Sequence, residues 1–173
     1  MFVLAPEGRG RLLMGSAKAL ATANWGSCGP AVIVVADASV ALKWFFRTRA
    51  DAPDVGPALA LLQGVADGRV ALVEPPHFVA EVCAVLLREA PQAAAANLRD
   101  LFVIEMHIDA DEAVYERALM LAVRQKRPLF DTLYHALALC TPGARLATAD
   151  EIYWRKAHGE GAIGRLADFT PGD

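Results

Sequence analysis

Four carboxylates stand where they can do chemistry together. Asp37 closes the apolar run Ala31-Val32-Ile33-Val34-Val35-Ala36, and Glu81 lies four residues after His77 in the amphipathic stretch from His77 to Glu89. Asp131 opens the apolar stretch running to Cys140, and Asp150 follows Arg145-Leu146-Ala147-Thr148. The intervals between them are 44, 50 and 19 residues. Carboxylates gathered in one place repel one another and are costly to desolvate, so such a group points to a hard divalent cation. Magnesium and manganese take oxygen donors, mostly carboxylate and water. A site of this kind activates a water and stabilises charge on a phosphate. Ser39 and Thr148, each two residues from an acid, add hydroxyls able to orient a carboxylate. Each acid also has an ordinary reading. Asp37 and Asp131 suit helix caps, Glu81 suits a solvated helix position, although Phe78, Val82 and Val85 put it at the edge of the apolar face, and Asp150-Glu151 suits the start of a helix dipole. It is the four in one order that favour the metal site.

The surrounding elements explain how these acids meet. A short β-branched run such as residues 31–36 reads as a buried parallel strand with Asp37 at its carboxyl end. Val70-Ala71-Leu72-Val73 is a second strand, stopped by Pro75-Pro76. Residues 102–108, 145–148 and 163–169 supply further strand candidates. Helices are expected over 39–46, 55–67, 77–89, 91–101, 131–140 and 151–157, with a long one capped by Asp109. Strands alternating with helices give an α/β fold, a three-layer α/β/α domain around a mostly parallel sheet of four to five strands. Such sheets place ligands beyond the carboxyl ends of their strands, where Asp37 and Asp150 fall.

The segment Val34 to Phe45, with Asp37 inside it, resembles the opening of the PIN-domain ribonucleases, above all the VapC-like toxins of bacterial toxin–antitoxin pairs. Pro76 to Leu86 is similar to that family's Glu-bearing helix, Phe130 to Ala138 to its second Asp motif, and Leu146 to Glu151 to its third. The resemblance covers residues 31–169. It implies a PIN-like fold and an endoribonuclease in which Asp37, Glu81, Asp131 and Asp150 hold Mg²⁺ or Mn²⁺, with Ser39 and Thr148 in support. It further implies an RNA substrate, a small antitoxin partner and a homodimer. A different class of reading is a non-catalytic PIN-like module that binds RNA or protein. A haloacid-dehalogenase-type phosphatase would need an acid where Ser39 stands, and a receiver-type signalling domain would need an acid pair where Ala36-Asp37 stands.

Composition bounds these readings. The chain has 173 residues with 17 basic and 20 acidic side chains, a net charge of −3, which excludes a polycationic nucleic-acid coat. Hydrophobic residues make up 55%, enough to exclude disorder as the overall class. Cys28, Cys83 and Cys140 are odd in number and form no C-x-x-C, so free thiols in the cytoplasm are expected. No membrane span is expected, because Asn24, Gly26, Gly29 and Pro30 interrupt the longest uncharged stretch. Residues 1–30 carry weak periodicity and read as a flexible N-terminal extension, with 31–173 as the domain. Arg9 and Arg11 before Leu12-Leu13-Met14 imitate a signal peptide, but Gly15-Ser16 and Lys18 interrupt it. The cations Arg47, Arg49, Arg124, Lys126, Arg127, Arg155 and Lys156 can track a phosphate backbone or form ordinary solvated faces.

Overall fold

A computed structural model describes residues 12–14, 32–47, 53–109 and 111–170. The β-branched run becomes β2 (Val32–Ala36), whose last three residues are buried. It lies between β3 (Val70–Glu74) and β5 (Arg145–Thr148), with Val34 level with Leu72 on one side and with Arg145 on the other. β4 (Met106–Ile108) lies outside β3, and β6 (Ile163–Arg165) lies outside β5. These five strands run parallel, as expected. A sixth, β1 (Leu12–Met14), pairs parallel with β4 and gives the order β1-β4-β3-β2-β5-β6. It comes from the segment read as a flexible extension. A chain cut back to Ala31 would therefore lose the strand that covers the β4 edge. The rest of residues 1–30 lies outside the described residues.

Two groups of helices flank the sheet. α1 (Ala38–Phe45) contacts β2 and β5 and packs with α2 (Val55–Ala66) and α3 (Phe78–Glu89), and α3 packs with α4 (Ala94–Leu101). α5 (Glu112–Gln125) packs on α6 (Leu129–Cys140), which contacts β2, β3 and β5. Lodged between α5 and the sheet, α6 buries every residue from Thr132 to Ala138, which explains its lack of a polar face. Within it, Thr132 Oγ1 shares its proton between the carbonyls of Ala118 and Leu129, each at 3.0 Å. Trp44 is core, 2% exposed, with its indole N–H on the Ala58 carbonyl at 2.9 Å. α7 (Glu151–Ala157) precedes β6.

Several boundaries differ from expectation for local reasons. α5 is capped by Asp111, whose carboxylate accepts from the Ala113 N–H at 3.1 Å, and not by Asp109. Asp109 is buried, accepts from the Asp111 N–H at 3.0 Å, and so shapes the turn that precedes the cap. Residues 91–93 form a turn before α4, and β6 gives way to a 3₁₀ turn at Leu166–Asp168. Among the described residues no helix is long and apolar enough to cross a membrane. Cys83 and Cys140 are free thiols, and Cys28 lies outside the described residues.

Candidate metal centre at the strand switch

Strand order sets the place of the site. From β2 the chain moves outward through β3 to β4, then returns to the other side of β2 for β5 and β6. The reversal falls between β2 and β5, and in open parallel sheets a crevice opens at the carboxyl ends of such a pair. Asp37 follows β2, and Thr148 and Asp150 end β5.

Asp37 is the helix cap that its place before α1 suggests, and its carboxylate has a second partner. Its carboxylate caps α1 through the Ser39 N–H at 2.8 Å, and its second oxygen accepts from Thr148 Oγ1 at 3.1 Å. Thr148 Oγ1 also accepts from the Asp150 N–H at 3.0 Å, so one hydroxyl ties the two acids together across β2 and β5. Ser39 acts through its backbone. Asp150 caps α7, accepting from the Tyr153 N–H at 2.8 Å. The Asp37 carboxyl retains some accessible surface, but the protein around it is dense enough that burial raises its pKa, offset in part by Ser39 and Thr148 and increased by the charge of Asp131.

Glu81 and Asp131 complete the group. Glu81 accepts from the Tyr134 hydroxyl at 2.7 Å and lies 3.6 Å from His77 Nε2. Partial burial raises the Glu81 pKa, with smaller contributions from Asp37 and Asp131. Asp131 sits in the first turn of α6 and does not cap it, since Pro128 occupies that place without a side-chain bond. Its pKa is raised by burial and by Asp150 against the opposing charge of Arg127. His77 is held neutral by burial, with its ring against Phe130 and Tyr134 at centroid distances of 5.1 and 4.8 Å. His135 is a core histidine, bound to the Tyr153 hydroxyl at 3.0 Å and the Gly161 carbonyl at 2.7 Å.

Three residues enlarge this picture. Glu74, the last residue of β3, is fully buried, accepts from the Ala36 N–H at 2.8 Å, and has its pKa pushed well up by burial. Tyr134 is 1% exposed and packs in the core, yet its hydroxyl is the partner of Glu81. Arg127 bonds Asp150, lies 3.9 Å from Asp131, and stands over the Tyr153 ring at 5.4 Å. The acidic rim is therefore compensated on one side by the chain's own guanidinium, not bare throughout. Glu74 could have been found as a carboxyl ending a buried strand ahead of two prolines. Other cations from the basic stretches serve structure: Arg124 pairs with Glu160 at 2.8 Å and Arg155 with Glu151 at 3.7 Å.

The donor set of carboxylates and hydroxyls suits a hard cation, because Mg²⁺ and Mn²⁺ take oxygen donors and an ion would offset the charge that burial penalises. As the side chains stand, no three His, Cys, Asp or Glu among the described residues lie close enough to hold a metal together. Electrostatic coupling nonetheless links Asp37 with Asp131, Glu81 with both, and Asp131 with Asp150.

Parallel α/β sheets of several families carry acids at the strand switch, and the family match decides among them. The chain belongs to the PIN-domain family: the family model matches residues 34–159, which contain all four acids. PIN domains are generally metal-dependent nucleases that use divalent ions. No curated protein matches the chain.

Proposed function

We propose that this protein is a metal-dependent endoribonuclease acting as the toxin of a toxin–antitoxin pair in the cytoplasm. The observation that carries the nuclease reading is the Asp37–Thr148–Asp150 link, which holds two acids from separate strands in one orientation at the switch. Asp37, Glu81, Asp131 and Asp150 would hold Mg²⁺ or Mn²⁺. When bound, such an ion supplies Lewis acidity that activates water and neutralises phosphate charge. The chain's own residues do the positioning. Thr148 orients Asp37, the Tyr134 hydroxyl orients Glu81, and burial of the acids' inner side excludes bulk water. Arg127, which bonds Asp150 and lies 3.9 Å from Asp131, would share those acids with the ion and would offer a guanidinium to a phosphate there.

The antitoxin proposal rests on the half of the rim that Arg127 leaves uncovered. Asp37 and Glu81 have no Lys or Arg partner among the described residues, so an arginine-bearing segment from a partner complements them. The homodimer proposal draws support from Leu119, Met120 and Val123, which expose one apolar side of α5. The non-catalytic reading is favoured by one observation, the guanidinium already seated between two of the four acids. A single experiment separates the two: incubation of total RNA with purified protein in Mg²⁺, in Mn²⁺ and in EDTA. Cleavage in metal that EDTA abolishes supports the nuclease. RNA retained intact but bound under all three conditions supports the module.

A further inference from the structure

Glu74 makes one contact that the proposed chemistry needs and leaves one oxygen free. Pro75-Pro76 stop β3 just as β2 reaches its site residue. The β2–β3 register ends at Val34 level with Leu72, and beyond it the Ala36 N–H turns toward a strand that is about to leave. Glu74's own carbonyl is occupied by the Asp109 N–H at 3.1 Å, so its side chain takes over and Oε1 accepts the Ala36 N–H at 2.8 Å. On the opposite side, the Asp37 N–H donates to the Ala147 carbonyl at 3.1 Å. The two peptide units that deliver Asp37 are thus clamped from both neighbouring strands. Oε2 of Glu74 is buried without a partner among the described residues. A charged carboxylate buried without a counter-ion is costly, which favours the neutral form of this group, with Oε1 as the acceptor.

Resting on the reading of Asp37 as a metal ligand, we propose that Glu74 is a positioning residue of the metal site, fixing the backbone ahead of Asp37 through the Ala36 N–H. A loose ligand costs affinity even when every ligand is present, because outer contacts set its orientation. Glutamine repeats the pattern of a neutral carboxyl, with one oxygen to accept and an N–H to donate. Methionine has nearly the same length and offers neither.

The test compares wild type, Glu74→Gln and Glu74→Met by calorimetric titration with Mn²⁺ and by RNA cleavage. We expect Glu74→Gln to bind Mn²⁺ within about threefold of wild type and Glu74→Met to bind it roughly 10- to 100-fold more weakly. In Glu74→Met kcat, normalised to the folded fraction measured by circular dichroism, should fall while KM for RNA stays within about twofold, a loss that reduced stability alone would not leave after normalisation. Wild-type Mn²⁺ affinity in Glu74→Met overturns the proposal, and so does equal weakening in both variants, which would make the carboxylate itself a ligand. Should Glu74→Met fail to fold, hydrogen exchange of the Ala36 amide in Glu74→Gln decides. Protection retained with affinity supports the role, and protection lost without loss of affinity overturns it. A wild type that binds no Mn²⁺ overturns the metal reading itself, a result distinct from any failure of Glu74.

Discussion

The two sides of the acidic rim handle charge in opposite ways. On the β3 side, Glu74 is sealed in the interior, Asp37 is surrounded, and Glu81 is tied to a buried tyrosine. All three have raised pKa values with burial as the leading cause, and no Lys or Arg among the described residues reaches them. On the β5 side, Asp131 and Asp150 are about one-third exposed and share Arg127. There Arg127 offsets part of the burial that still raises the Asp131 pKa. On the β3 side no guanidinium among the described residues does so, and a proton or an arriving cation must relieve the desolvation cost. Mutual repulsion of the acids is secondary to burial in raising their pKa values. Metal affinity should therefore come chiefly from the β3 side, with Arg127 acting as a competitor on the β5 side.

The largest expected effect is on catalysis. Asp37→Asn and Asp131→Asn replace hard anionic donors by poor neutral ones, and each should lower RNA cleavage by about 10²–10³-fold while preserving the fold. Circular dichroism alongside the cleavage assay checks this, and a variant cutting at the wild-type rate would remove its residue from the site. Next comes stability with metal. At a Mn²⁺ concentration about a hundred times Kd, mass action adds about 2.7 kcal/mol, or roughly 5–10 °C in Tm for a chain of this size. That shift should be much smaller in Asp37→Asn, whose metal-free form should melt no lower than wild type, because Asn also caps helices. Equal shifts in the two proteins would show that the acids do not act as one site.

A pH series probes the β3 side alone. Folded Glu74 keeps its proton in a range where the unfolded chain, with its ordinary value of 4.5, has released it. The folded state then binds more protons, so stability falls as pH rises above that value. Glu74→Gln should match metal-free wild type near pH 4 and exceed it by a few degrees at pH 7.5, measured by thermal melting. A wild type with no decline relative to the variant would contradict the buried neutral carboxyl. The smallest effect belongs to Arg127. Its partners are partly exposed, so Arg127→Gln should cost about 1 kcal/mol, or roughly 2–4 °C, in metal-free protein. The same variant should bind Mn²⁺ several-fold more tightly by calorimetry. Weaker binding would make Arg127 a support of the site instead of a competitor.

Much of the site was legible because its carriers are local signals. An apolar β-branched run ending in Asp37, an acid opening an apolar helix, and Thr148 two residues before Asp150 each follow from short-range pattern. The ordinary and functional readings of Asp37 proved compatible, since one oxygen caps α1 while the other joins Thr148. An aromatic residue in so apolar a helix suits the core, and the Tyr134 ring is there. The destination of its hydroxyl depends on a residue 53 positions away. Leu12–Met14 escaped notice because three residues carry too little period to declare a strand, and only β4 makes them one.

The sequence by itself determined the alternation of strands and helices, the parallel sheet, and the residues left at the carboxyl ends of β2 and β5, because each depends on hydrophobic period and on residues that break it. Only the tertiary structure decided how the acids are treated once assembled. Glu74 meets Ala36 across 38 residues, and Arg127 meets Asp150 across 23. Whether a carboxyl is buried neutral or paired with a cation depends on the dielectric and the partners around it, and those exist only when distant segments have packed together.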